Sequence, residues 1–193
     1  MNAAAAVLDF AARRPLRPPI VGLTWLLGIL LSAACVAAFG LTADAVVAAF
    51  FCIVLVTVSA VDVEHRVVPN RIVLPAAGAV LLAQTLLHPS PEWALGALAA
   101  AGFLFAAAVV YPAGMGMGDV KLALLMGAAL GKAVLVALVL GMTAALIPGL
   151  YLLARHGSSA RKTGIPFAPF LALGSVLALF VGTELLGWYT GRV

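Results

Sequence analysis

Residues 45–61 read AVVAAFFCIVLVTVSAV and run directly into Asp62. Thr57 and Ser59 are the only breaks in that apolar run, and neither carries a charge. A helix on the surface of a water-soluble domain has an apolar stripe and a polar face, whereas this stretch is apolar all round. Its length approaches the ~20 residues that cross a ~30 Å hydrocarbon core. It therefore predicts a membrane helix with an acid at one end. The rest of the 193 residues has the same character: 65% are hydrophobic, 9% are charged, and the mean hydropathy is +1.19. Soluble domains sit nearer ~45–50% apolar and ~25% charged, which excludes a disordered tail and an ordinary cytosolic enzyme. Lys and Arg number 11 against 7 Asp and Glu, too few and too dispersed for a nucleic-acid footprint. No nucleic-acid partner is expected, and membrane lipid is.

Working outward from this helix, apolar segments occupy Ile20–Gly40, Asp44–Asp62, Ile72–His88, Trp93–Tyr111, Val120–Gly131, Ala133–Ala154 and Ile165–Gly187. Turn-forming residues separate them at His88–Glu92, Pro112–Gly118 and His156–Ser159. The expected fold class is an all-α polytopic integral membrane protein with about seven transmembrane helices. Residues 1–19 form a basic tail and residues 20–193 a single transmembrane domain. The run after the tail exceeds the ~7–15-residue core of a cleaved signal peptide, so it reads as a retained first helix. With the N-terminus in the cytosol, the inner side collects Arg13, Arg14, Arg17, Arg66, Arg71, Lys121, Arg155, Arg161 and Lys162. Only Lys132 and Arg192 remain outside, the asymmetry that the positive-inside rule requires.

The segment Val120–Gly131 is short for a crossing, since twelve residues reach only ~18 Å at ~1.5 Å each. Either Lys132 snorkels to the outer surface over a thinned bilayer, or the segment turns back and leaves six crossings. The crossing keeps the better charge asymmetry and is the reading adopted.

Acids at the edge of hydrocarbon are costly and demand an account. Asp9 lies in the tail, Asp44 and Glu92 at outer helix ends as caps or solvated surface, and Glu184 near the outer end of the last helix. Glu64, beside His65 and Arg66 in a first inner loop from Val63 to Arg71, reads as a solvated residue. Asp62 closes the second helix and Asp119 opens the fifth, both at the cytosolic membrane boundary. They are either two separate helix caps or a pair. Two carboxylates in one partly dehydrated site do not both ionise easily. One would then act as base toward a water while the other polarises a carbonyl, as in aspartic proteases.

Gly114, Gly116 and Gly118 alternate just before Asp119. Glycine there permits positive φ and close backbone approach, so an extended peptide has room to lie against the segment. The plain alternatives are a flexible loop or a phosphate cradle, and the spacing fits neither GxGxxG nor GxxxxGK[ST]. Gly127 and Gly131 form a GxxxG that serves helix packing. Lys121 points about 200° from Asp119 on a helix and reads as an anchor at the lipid headgroups. Pro69 restarts the chain into the third helix, with Asn70 as its N-cap. Cys35 and Cys52 lie in apolar runs, which argues against a disulfide framework. His65, His88 and His156 have no ligand spacing, so neither a metal nor another cofactor is expected.

Gly116-Met117-Gly118-Asp119 resembles the GxGD signature of intramembrane aspartyl proteases. Extended through Val120-Lys121-Leu122, and with Val61-Asp62 and Pro69-Asn70 upstream, it is similar to the type IV prepilin peptidases. A third block, Ile165-Pro166-Phe167-Ala168-Pro169-Phe170-Leu171-Ala172, resembles the FGPFLA element of that family, with Ala168 in place of a glycine. The resemblance covers roughly Phe50 to Ser175. It implies an endopeptidase of the bacterial inner membrane, its active site facing the cytosol, that cuts the short basic leader from prepilins or pseudopilins. Asp62 and Asp119 are the implied catalytic pair. Gly114, Gly116, Gly118, Lys121, Pro69, Asn70, Phe167 and Pro169 would form the surrounding substrate or active-site loops. No CxxC occurs and the first inner loop is short, so the methyltransferase half of the bifunctional members is not expected. The compact members that serve Flp-type pili are the nearer likeness. The readings from other classes are a small proton-coupled transporter and an inactive pilus-assembly protein.

Overall fold

The computed structural model describes residues 16–111, 115–156, 166–189 and 191. Seven α-helices are found among the described residues: α1 (Pro18–Phe39), α2 (Ala43–His65), α3 (Asn70–Leu87), α4 (Glu92–Val110), α5 (Met117–Leu130), α6 (Val134–His156) and α7 (Ala168–Tyr189). A 3-10 turn, Gly131–Ala133, joins α5 to α6. The apolar segments read from the sequence are these helices, with ends shifted by a few residues. Helices α1 to α4, and the continuous helical stretch Met117–Leu152, are each long and apolar enough to cross a membrane, and Ala168–Gly182 is a shorter apolar helix. The chain is a multi-pass membrane protein.

The short fifth segment is the centre of the bundle. Nine of the 14 residues of α5 are buried, from Val120 to Leu130, and α5 packs on α4, α3, α7 and α2. A helix enclosed by protein on all sides need not match the thickness of the hydrocarbon, because lipid does not contact it. It nonetheless runs from one end of the bundle to the other. It begins beside the end of α2, and it finishes where Gln84, near the end of α3, donates its Nε2 hydrogen to the Ala129 carbonyl at 3.2 Å. Gly131, with φ +53°, ends the helix beneath the Trp93 ring at the start of α4. Helix α6 then returns antiparallel along α7, with Ala133 beside Gly182 and Gly141 beside Leu171. Within the bundle, then, α5 runs from the Asp62 end to the opposite end, and the chain reverses only after Gly131.

Contact between α4 and α5 is closest at Gly96 and Gly127. A Cβ on Gly96 would stand 2.9 Å from the Gly127 carbonyl oxygen, and one on Gly127 would overlap the Gly96 backbone. Small residues at a crossing let two helix backbones meet, the main source of association where lipid is as apolar as the side chains. Helix α1 lies at the edge of the bundle, mainly on α2, and buries only Gly28 and Cys35 of its length. The Cys35 and Cys52 thiols are free and lie 3.9 Å apart in that contact, a neighbourhood their sequence positions did not announce.

At the end of the bundle away from Asp62, Asp44 meets His88 at 2.8 Å, and Trp93 Nε1 donates to the His88 carbonyl at 3.0 Å. The cap of α2 is Thr42, whose hydroxyl accepts the Ala45 N–H. Asp44 is thus the partner of a histidine and not a cap.

Gly127→Ala should destabilise the detergent-solubilised protein by about 1–3 kcal/mol, the usual cost of overpacking. Gly102→Ala on α4, which meets nothing within 4 Å, should leave the thermal midpoint nearly unchanged. Equal midpoints for both variants would show that the α4–α5 crossing is not tight.

Candidate active site

Asp62 does not close α2. The helix continues through Val63, Glu64 and His65 and ends at Arg66, which adopts the left-handed conformation with φ 53°. The Arg66 N–H bonds the Asp62 carbonyl at 2.8 Å, a common way to satisfy the last carbonyls of a helix. The loop between α2 and α3 is therefore only residues 66–69. Polar residues extended the helix beyond the apolar run because they needed only to leave the hydrocarbon, not to unwind.

The Asp62 side chain points inward and is 6% exposed. Its Oδ2 accepts the Ala168 N–H at 3.0 Å, and the Phe167 backbone amide and the Arg66 charge also act on it. Ala168 is the first residue of α7. The Phe167 carbonyl accepts the N–H groups of Phe170 and Leu171 at 3.1 and 3.2 Å, so Phe167 begins the helix through its backbone. Pro169 has no N–H to offer, and its fixed φ suits a first turn. That leaves the Ala168 amide as the free donor of the helix end, and the carboxylate takes it. A helix N-terminus favours negative charge through its unpaired amides and dipole.

Asp119 stands in the first turn of α5, half-buried. Its N–H bonds the Gly116 carbonyl at 3.1 Å, and its carboxylate reaches back to the Gly116 backbone amide. This is the returning half of a capping box, in which a side chain three residues into the helix satisfies the N-cap amide. Gly116 is extended, with φ −82° and ψ 145°. Gly118 is helical, so the glycines do not form one extended strip, and neither has positive φ among the described residues. What Gly118 provides is proximity: a Cβ there would stand 2.7 Å from Val68 Cβ in the loop after α2. Gly114 lies outside the described residues.

The same loop makes a second tie to α5. Lys121 Nζ donates to Asn70 Oδ1 at 3.0 Å. Pro69, buried, is the N-cap of α3, and its carbonyl accepts the Ile72 and Val73 amides. Asn70 is therefore not a cap, and its amide is free to hold Lys121, which binds protein where a headgroup anchor was expected. With Gly118 against Val68 and Lys121 on Asn70, the end of α2 and the start of α5 are fixed together. Asp62 and Asp119 are close enough that the charge of one acts on the other. The two acids, left by the sequence as separate caps or a pair, stand at the same end of the bundle.

Two features went unread in the sequence. The Ala168 donor is a backbone group, so no residue type marks it. Glu64 is no solvated loop residue: its side chain is 12% exposed, and its oxygens accept the Arg17 backbone N–H at 3.0 and 3.3 Å. The Arg17 Nε also stands 3.4 Å from Oε1. Among the described residues no group of three or more His, Cys, Asp or Glu is placed to hold a metal ion.

A multi-pass helical bundle with a carboxylate pair at one end, one acid on a helix N-terminus and the other at a glycine-framed helix start, defines a class of membrane protein. Within that class the chain belongs to the type IV leader peptidase family, whose sequence profile matches residues 49–153. It is 36% identical over 159 residues to the prepilin leader peptidase/N-methyltransferase of Bacillus subtilis (strain 168), covering 78% of this chain and 62% of the relative. The protein of the same description from Legionella pneumophila is 31% identical over 79% of this chain and 56% of the relative. A third, from Xanthomonas campestris pv. campestris, is 32% identical over 70% and 50%. The chain thus spans about half to three-fifths of the length of these relatives. No solved structure matches it.

Gly118→Ala should disturb this end of the bundle more than Gly116→Ala, whose Cβ would meet Asp119 Oδ2 at 3.5 Å and the Gly118 nitrogen at 3.9 Å, both ordinary distances. The expected difference is about 1–3 kcal/mol in stability, read by thermal or denaturant unfolding of the two variants. Equal effects would favour a common role as a glycine strip over packing against Val68.

Proposed function

We propose that this chain is a membrane-embedded aspartyl endopeptidase that removes the leader from type IV prepilins, Flp-type prepilins or pseudopilins. The observation that supports this reading is that Asp62 and Asp119, acids from separate helices, stand at one end of the bundle near enough for one charge to act on the other. Membership of the type IV leader peptidase family and the names of the relatives support the substrate class. The basic residues Arg17, Arg66, Arg71 and Lys121 surround that end and Lys132 stands at the other. The positive-inside rule then assigns the acids to the cytosolic boundary of the bacterial inner membrane.

In this reading a substrate helix lies beside the bundle and its cytosolic boundary unwinds to present an extended peptide bond. Water enters from the cytosol. The ionised carboxylate takes a proton from the water as its oxygen attacks the carbonyl carbon, while the protonated carboxyl donates to the carbonyl oxygen. The tetrahedral intermediate collapses as the leaving nitrogen is protonated, releasing the leader acid and the new amine. Asp62, held by the Ala168 amide, has one fixed orientation toward the bond. A proton-coupled carrier gains no support, because both acids stand near helix ends and not at mid-bilayer.

The test is cleavage of a candidate prepilin in membranes by wild type, Asp62→Asn and Asp119→Asn at matched expression. Wild type should process the substrate, and each variant should lose about 10²-fold or more in rate while still inserting. Processing by either variant at the wild-type rate would remove the acid pair from the mechanism.

A further inference from the structure

We infer that Glu64 is a specificity-determining residue: it receives a cationic residue at the start of an incoming apolar helix, which docks in the groove between α1, α2 and α7. In the free protein Arg17 occupies that place. The inference rests on the peptidase reading for its purpose, but its geometry is independent of it.

The groove holds about 430 Å³ and is almost wholly apolar. Ile20 and Leu23 of α1 form one wall, Pro169 and Leu173 of α7 the other, and Ser59 and Val63 of α2 part of the floor. At ~100° per residue, the floor residues of α2 fall in the arc between Asp62 and Glu64, which are roughly 200° apart. The two acids are not part of the lining, but they flank the α2 residues that are, one on each side near the end of the helix. On one side Asp62 holds the first amide of α7, and on the other Glu64 holds the residue before α1.

Arg17 shows what Glu64 selects. It is the residue immediately before an apolar helix, it offers both a backbone N–H and a guanidinium, and its own side chain is 80% exposed. Helix α1 is held mainly through one face on α2. A second chain with a cation at the same place, just before its own apolar helix, presents the same two donors. Seated in the groove, it would direct the junction of cation and helix to the space between Glu64 and Asp62. Arg17 then competes for the carboxylate from within the chain.

The experiment uses full-length protein in nanodiscs carrying Asp119→Asn, so that bound peptide is not cut. The probes are a fluorescent peptide with Arg directly before a bilayer-length apolar helix and the same peptide with Gln there. Affinity for the Arg peptide should fall about fivefold on adding Glu64→Gln, the scale of one partly solvated ion pair. The Gln peptide should bind equally with and without that change. Arg17→Gln should raise affinity for the Arg peptide alone, because the competing guanidinium is gone. In the Asp119 enzyme, Glu64→Gln should raise KM for a prepilin with the cation and leave kcat within about twofold. A merely structural Glu64–Arg17 tie predicts that both variants weaken both peptides alike, and that result overturns the inference. Charge-dependent binding without any cleavage by the Asp119 enzyme would retain the site and remove the peptidase reading. Cleavage indifferent to Glu64 and to the cation would do the reverse.

Discussion

A buried carboxylate that accepts a backbone amide fixes this architecture. Asp62 lies near the C-terminal end of α2, and the Ala168 N–H reaches it from the first turn of α7. Leaving either group unpaired in the interior would cost roughly 1–3 kcal/mol, and more for an ionised acid. The last helix must therefore begin where the second one ends. Helix α6 must then finish at that same end to deliver α7, so α5 must have carried the chain to the opposite end. That hydrogen bond ties the start of α7 to the end of α2. Phe167 and Pro169 make the turn that presents the amide, the first through its carbonyl and the second through its locked φ.

The acids themselves belong to elements that meet at the loop 66–69. Arg66 stops α2 in the left-handed conformation, and Val68 then packs against Gly118 of α5, which has no side chain to keep it away. Asn70 and Lys121 add a polar tie outside that contact. Two carboxylates need this kind of support, because their mutual repulsion would otherwise push α2 and α5 apart. The glycine nearest Asp119 in the helix serves packing, while Gly116 supplies an amide to the Asp119 carboxylate. Alternation of glycine in the sequence therefore conceals two different functions.

Much of this was legible in residues alone, for a physical reason. Hydrocarbon tolerates only long apolar helices, so the spans announce themselves by composition, and an acid at the end of a run such as 45–61 stands out. The misreadings arose where protein, not lipid or water, surrounds a group. Helix α5 looked too short because the sequence does not say that it is enclosed. Glu64 looked solvated because a polar triplet ordinarily marks a loop, yet Arg17, just before the first helix, binds it from far upstream. Asn70 looked like a cap because its type favours capping, although Pro69 performs that task and frees the amide for Lys121. Each of these contacts joins distant segments, and none has a periodicity or a residue signature.

The distribution of constraint along the chain follows from the same physics. Faces that meet lipid need only be apolar, so Trp25, Ile29, Leu98 and Leu150, all well exposed, are replaceable by other large apolar residues at little cost to the fold. Constraint gathers instead at a few positions where backbones touch, as at Gly96 with Gly127 and Gly118 with Val68, and where a carboxylate meets an amide. Identities of 31–36% to relatives across most of the chain are enough to hold such a fold, provided those few contacts are kept. Ala168 illustrates the distinction. Its methyl stands where the family pattern has glycine, and the residue is fully buried, but the group that matters to Asp62 is its N–H, which any residue except proline supplies.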